Sequence, residues 1–130
     1  MFTIPQIKEA HSKVKSGADF PRYMQDIIAL GVTSFETFVF DNHTNYYGED
    51  DFKIASTGFT ATLTVMDKSD IEQFKLDLKS HQQGHTDYGT FLQDCAKSGI
   101  EKWIVVMAKM TCTYYDKNGN ALLVETIPAV

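Results

Sequence analysis

"FLQDCAKSGIEKW" occupies residues 91–103, and "YMQDIIALGVTSF" at residues 23–35 agrees with it at Gln, Asp and Gly in step, with an aromatic residue at each end. Sliding the chain by 68 residues extends the agreement: Asp19 falls on Asp87, Gln25 on Gln93, Asp26 on Asp94, Gly31 on Gly99, Phe35 on Trp103, and Tyr46-Tyr47 on Tyr114-Tyr115. Related side chains fill the gaps, Phe20 with Tyr88, Tyr23 with Phe91, Met24 with Leu92 and Val32 with Ile100. The spacing predicts an internally duplicated unit of helix, helix, glycine, strand, turn and strand, in which Gly31 and Gly99 supply the left-handed residue that stops a helix. Neither unit carries enough apolar side chains for a core of its own. The expected fold class is therefore α+β, ordered ααβββ-ααββ, with both halves contributing to one antiparallel sheet packed by helices.

Working outward, Thr3 and Gln6 stand at capping-box spacing with Pro5 in the first turn, which predicts a helix from Ile4 to about Lys15 that stops at Gly17. Asp19 is the expected cap of a second helix whose buried face is Phe20, Tyr23, Met24, Ile27 and Ile28. "VTSFETFVF" (32–40) reads as a strand, "DNHT" (41–44) as a turn, "NYY" (45–47) as a short strand, and "FTATLTV" (59–65) as a strand with one dry and one wet face. Ser69 and Glu72 form a second capping box ahead of Ile71, Phe74 and Leu78. "HQQGHT" (81–86) breaks that helix, and a fourth turns Tyr88, Phe91, Leu92, Cys95 and Ala96 to one side. "EKWIVVMAKMTCTYY" (101–115) reads as one long strand, Asn118-Gly119 as a two-residue hairpin turn, and "ALLVETI" (121–127) as the returning strand.

Composition narrows the function classes. The 130 residues are 43% hydrophobic and 22% charged, the balance of an ordinary globular chain, and they are expected to form one domain with pseudo-repeats at about 1–66 and 67–130. A net charge of −5 with Arg22 as the single arginine argues against a phosphate-tracking surface, so no nucleic-acid partner is expected. Apolar runs such as "WIVVMA" (103–108) are far shorter than the roughly 20 residues a bilayer helix needs. The first residues lack the pattern of a signal peptide, which makes the cytoplasm the default compartment and a membrane partner unexpected. Cys95 and Cys112 form no CxxC pair, and no GxGxxG, GxxxxGK or GxSxG motif occurs, so neither a metal nor any other cofactor is implied.

"GVTSFETFVFDNHTNYYGED" together with "HQQGHTDYGTFLQDCAKSGIEKWIVVMAKMTCTYYDKNGNALLVETIP" resembles the YdfO-like (YbcV-like) family of small enterobacterial and prophage-associated proteins, with "HQQGHTDY" and "TCTYYDKNGN" as the most specific stretches. The resemblance implies a compact α+β domain and brings no established activity, cofactor or catalytic residue.

Chemistry-bearing residues are few. His81 and His85 have the i, i+4 spacing of a helical metal chelate, but Gly84 lies between them and no Glu follows the first His, so a polar turn with Thr86 and Asp87 capping the next helix is the alternative. Asp41, Asn42, His43 and Thr44 gather an acid, an amide, an imidazole and a hydroxyl on a hairpin tip, where turn chemistry accounts for the acid and amide equally well. Cys95 falls on a buried helix face and Cys112 within a strand, both positions of inert thiols. "GEDD" (48–51) is too short for a calcium loop. No residue is assigned a catalytic role. Asp41, His43, His81, His85 and Asp87 stand as candidate ligand-binding residues. The expected function is a non-catalytic binding or regulatory module acting on an unknown protein partner or on a second copy of itself. The alternative is a small enzyme whose His43, His81 or His85 serves as acid or base. Self-association is expected because the strand at 102–114 is apolar on both faces near its start, while helices can cover only one.

Overall fold

A computed structural model describes residues 2–15, 17–58 and 62–128. Four helices, α1 (Ile4–His11), α2 (Phe20–Leu30), α3 (Ile71–Gln82) and α4 (Tyr88–Lys97), accompany six strands, β1 (Ser34–Phe38), β2 (Thr44–Tyr47), β3 (Lys53–Ala55), β4 (Lys102–Val106), β5 (Thr111–Tyr115) and β6 (Ala121–Thr126). The strands form one antiparallel sheet in the order β3-β2-β1-β4-β5-β6. β1 and β4 begin and end 68 residues apart, and α2 and α4 begin 68 apart, as do β3 and β6. At the centre Ser34 pairs with Val106, Glu36 with Ile104 and Phe38 with Lys102. Exchanging residues 68 apart maps this ladder onto itself, with the Glu36–Ile104 pair at its midpoint.

Alternation sets the layers. Phe35 and Thr37 of β1, Thr44 and Tyr46 of β2, Trp103 and Val105 of β4, and Cys112 and Tyr114 of β5 are all buried. They meet the helices through Phe74 against Tyr114 (4.8 Å between ring centroids) and Phe91 against Trp103 (5.7 Å), over a floor of fully buried Met24, Ile27, Phe74, Cys95 and Ile100. The first half carries a buried hydroxyl pair, Thr37 and Thr44 at 2.8 Å, where the offset puts Val105 and Cys112 in the second. The intervening strand residues point to the other face of the sheet and are only partly covered.

Local signals explain most of the boundaries and correct several. Thr3 accepts from the Gln6 N–H and the Gln6 side chain accepts from the Thr3 N–H, completing the capping box, yet α1 ends at His11 rather than near Lys15. The Ser12 hydroxyl donates to the Glu9 carbonyl (2.6 Å), and single-turn bonds from Lys13 and Val14 replace the helical ladder. Asp19 does not cap α2 with its side chain. Its carboxylate accepts from the Lys15 N–H (2.9 Å) at the end of a 3-10 turn, Gly17–Asp19. Asp70, not Ser69, caps α3, accepting from the Gln73 N–H at 3.1 Å. Gly31 ends α2 with φ 108°, and Gly99 with φ 77° follows the cap of α4.

Two strand expectations differ from the structure. Residues 101–115 are two strands, because Met107–Met110 form a turn closed by the Met110 N–H on the Met107 carbonyl, with Met110 at φ 49°. The second half therefore has three strands. The expected strand at 59–65 falls in part outside the described residues, and its described part, 62–65, is not strand. Leu63 donates one bond to Phe40 and Met66 one to Ala96, so its inward-facing Leu63 and Val65 pack without a ladder. The third strand is Lys53–Ala55 instead.

Candidate functional site

The β1–β2 connection is built to fix its side chains. The Asn42 N–H donates to the Phe38 carbonyl (2.9 Å) and the Phe38 N–H to the His43 carbonyl (3.0 Å), closing the turn with Asn42 at φ 60°, a left-handed conformation that Asn tolerates. Asp41 Oδ1 accepts both the His43 backbone N–H (3.0 Å) and the His43 ring at Nδ1 (2.6 Å). The imidazole lies parallel on Phe38, 4.5 Å away at 8°, with Phe40 edge-on at 5.9 Å. Desolvation pushes the Asp41 carboxyl up, but the His43 hydrogen bonds and charge outweigh it and hold the group below the usual carboxylate range. The tip is anchored from outside by two hydrogen bonds and is approached closely by the backbone at Gly58. The Tyr88 hydroxyl donates to Asn42 Oδ1 (2.5 Å), the Thr44 N–H donates to the Ser56 hydroxyl (2.9 Å), and a Cβ on Gly58 would come within 2.6 Å of the Asp41 carboxylate.

Phe38 also belongs to the face of the sheet that the helices leave open. There Lys102 and Glu36 pair at 2.7 Å, and the Lys102 ammonium lies 5.4 Å from the Phe38 ring and 5.8 Å from the Tyr115 ring. Ile104 and Val106 continue the face on β4, and Val124 extends it on β6, where it is 59% exposed. Toward the other edge Lys53 lies 5.8 Å from the Tyr47 ring. Sequence reasoning missed Glu36 and Lys102 as a pair. They are 66 residues apart and meet only through the antiparallel register of β1 on β4.

The other candidates take structural places. His81 stacks on Phe91 (4.4 Å, 12°) with Nδ1 on the Thr86 carbonyl (3.2 Å) and hydroxyl (3.3 Å). α3 ends at Gln82 and Gly84 adopts φ 81°, so His85 lies beyond the helix and is exposed. Asp87 caps α4, accepting from the Thr90 N–H at 2.7 Å. The "DNHT" tip and the "HQQGHTDY" stretch meet through Asn42 and Tyr88, and among the described residues Asp41 pairs with His43. Cys95 and Cys112 are buried free thiols. Desolvation pushes Cys112 up to about 12 and Cys95 well up, which makes both poor nucleophiles. Asp50 and Asp51 sit in a left-handed turn and are exposed.

His81 sets a pH dependence. Burial lowers its pKa, against the opposing pull of the Thr86 carbonyl, Asp87 and Asp94, and burial also lowers that of His11. Each ring is neutral in the fold and takes a proton more readily when unfolded. The stability is thus complete above the unfolded value near 6.5 and is lost as pH falls from there toward the folded value. The melting temperature should fall between pH 7.5 and 5.5, and His81→Phe should reduce that fall. An equal fall in the variant would contradict the assignment.

Among the described residues one cavity of about 260 Å³ opens between α1 and α2 beside Lys13, Arg22 and Asp26, and another of about 250 Å³ between α3 and β6 beside Lys79, Gln82 and Glu125. Among the described residues no helix is long and apolar enough to cross a membrane. No curated protein matches the chain. A family model described as "Protein of unknown function (DUF1398)" matches residues 8–126, nearly the whole length, and the chain belongs to that family.

Proposed function

We propose that this chain is a binding module, that its working surface is the open face of the sheet, and that the occupant of that face is a second copy. The observation that carries the reading is the charge pattern of the face. At its centre Glu36 and Lys102 neutralise one another at 2.7 Å, leaving Phe38, Ile104, Val106 and Tyr115, beside Asn45, Thr111 and Thr113, as the surface a partner would meet. A paired charge costs less to cover than an isolated one. Six strands of about five residues give a footprint of about 500 Å² before side-chain relief is counted, against about 800 Å² of accessible surface per partner in a standard interface. Side chains beyond the strand ends, such as the exposed Phe40, can supply the difference.

The 68-residue correspondence of elements supports a history of internal duplication, with residues 1–66 and 67–130 as the two copies within one domain. The "HQQGHTDY" and "TCTYYDKNGN" stretches support placing the chain with the YdfO-like, prophage-associated members of its family, and two free thiols suit a reducing cytoplasm.

Sedimentation equilibrium at micromolar concentration should return twice the 14.7 kDa chain mass, and Ile104→Glu should return the chain mass while keeping its helical spectrum. A wild-type chain that sediments at 14.7 kDa contradicts the reading.

A further inference from the structure

We infer that Asn118 is a site of spontaneous covalent modification, where the backbone nitrogen of Gly119 attacks the Asn118 side-chain amide and converts it through a succinimide to aspartate and isoaspartate. The inference rests on the β5–β6 turn alone and not on the binding reading. Of the four asparagines, three have engaged side-chain amides. Asn42 Oδ1 accepts from the Tyr88 hydroxyl (2.5 Å), the Asn45 amide donates to Glu36 (3.4 Å), and the Asn120 amide donates to Asp116 (3.0 Å). The Asn118 amide has no hydrogen-bond partner among the described residues. Its backbone N–H alone is tied, to Asp116 Oδ1 at 2.9 Å.

Ring closure requires the Gly119 nitrogen to reach Asn118 Cγ, and a side chain on the following residue crowds that approach. Glycine has none, and at φ 81° no atom stands within 4 Å of its Cβ position, so the ring has room to form. The other asparagines precede His43, Tyr46 and Ala121, each of which carries a side chain. Residues 117–120 are all exposed, which admits the water and hydroxide that the reaction needs. The Gly119 N–H donates to the Asp116 carbonyl at 3.2 Å, the long end of the hydrogen-bond range, and this is the bond that must open.

Hydroxide takes the Gly119 N–H proton as the nitrogen bonds to Asn118 Cγ. The amide carbon–nitrogen bond then breaks, and ammonia leaves with a proton from water. A second attack by water opens the ring. Breaking the new bond at Cγ gives aspartate, and breaking the original backbone bond gives isoaspartate, which adds one methylene to the turn. One amide and one water give one carboxylate and one ammonium ion, and the new charge stands two residues from Asp116. An exposed isoaspartyl carboxylate is the substrate of carboxyl methyltransferases that use S-adenosylmethionine. Its oxygen takes the methyl group from the sulfonium sulfur, and the Gly119 nitrogen then expels methanol to form the succinimide again.

The test incubates the full folded chain at pH 8, digests it and reads each asparagine by mass spectrometry. Methyl transfer from S-adenosylmethionine by an isoaspartyl methyltransferase counts the isoaspartate. Residue 118 should gain the mass difference between water added and ammonia lost ahead of residues 42, 45 and 120. Asn118→Ser should abolish methyl acceptance, and Gly119→Ala should slow the conversion several-fold. If Gly119→Ala does not stay folded, Asn118→Gln takes its place with the same direction of change, because its longer side chain closes a six-membered ring less readily. A folded chain that stays unmodified at 118 while the urea-unfolded chain reacts there, conversion at another asparagine first, or an unchanged rate in the folded variant overturns the proposal.

Discussion

Trp103→Ala should destabilise the protein by about 3–5 kcal/mol, a large part of the total for a domain of this size. Trp103 is 7% exposed and stands where β4 meets the helix layer, with Tyr88 at 6.4 Å edge-on, Phe91 at 5.7 Å and Tyr114 at 6.2 Å. Truncation would remove the indole from three aromatic partners at once. The cavity would lie between two rigid layers, a helix and a strand, which limits its collapse. It would also loosen Tyr88, whose hydroxyl anchors Asn42, so the hairpin tip should lose order together with the core. Chemical denaturation gives the magnitude. A midpoint unchanged in Trp103→Ala would mean that α4 does not pack on the sheet through this residue.

Gly99 should be less replaceable than the left-handed Gly31 and Gly119, with Gly99→Ala costing about 1–2 kcal/mol for the left-handed backbone and a further ~1–3 kcal/mol for displaced neighbours. A Cβ there would come within 2.8 Å of both the Lys68 carbonyl oxygen and the Ser69 Cα, which are backbone atoms and cannot swing aside. That segment leads into α3, and the Asp70 N–H donates to the Ser98 carbonyl, so the strain would be transmitted to the start of the helix. Gly119 has φ 81° with no atom within 4 Å of its Cβ position, and Gly31 meets only a Phe2 ring carbon at 3.7 Å. Gly119→Ala should therefore cost the backbone term alone. Equal losses for Gly99→Ala and Gly119→Ala would show that left-handed strain, and not the close approach of residues 68–69, decides the effect.

The fold was legible wherever one residue determines a local conformation. Gly31 and Gly99, the Thr3–Gln6 box and the Asp87 cap all act within a few residues of themselves, so their patterns survive in one dimension. The turn at Met107–Met110 was not legible, because "VVMAKMTC" contains no Gly, Pro, Asn or Asp, and Met110 is held left-handed by the tertiary pairing of β4 with β5. β3 was hidden by its length of three residues, while 62–65 shows alternation without a partner strand. At the tip, residue types identified Asp41 and His43 but not their contact. The 2.6 Å pair exists because Asn42 reverses the chain and Phe38 offers a ring to stack on. Glu36 and Lys102 were illegible for a similar reason, since their meeting depends on the register between the two halves.

The open face as the meeting surface of two copies is tested most directly by cysteine cross-linking, since native Cys95 and Cys112 are buried. Ile104 lies at the midpoint of the central ladder and is only partly exposed, whereas Leu76 on α3 is 65% exposed on the helix layer. Centred stacking of two sheets brings residue 104 near its own copy and keeps residue 76 on the outside. Under mild oxidation Ile104→Cys should form a disulfide-linked dimer faster than Leu76→Cys, against the order of their exposure. Cross-linking that follows exposure instead, with position 76 ahead of position 104, would contradict the account.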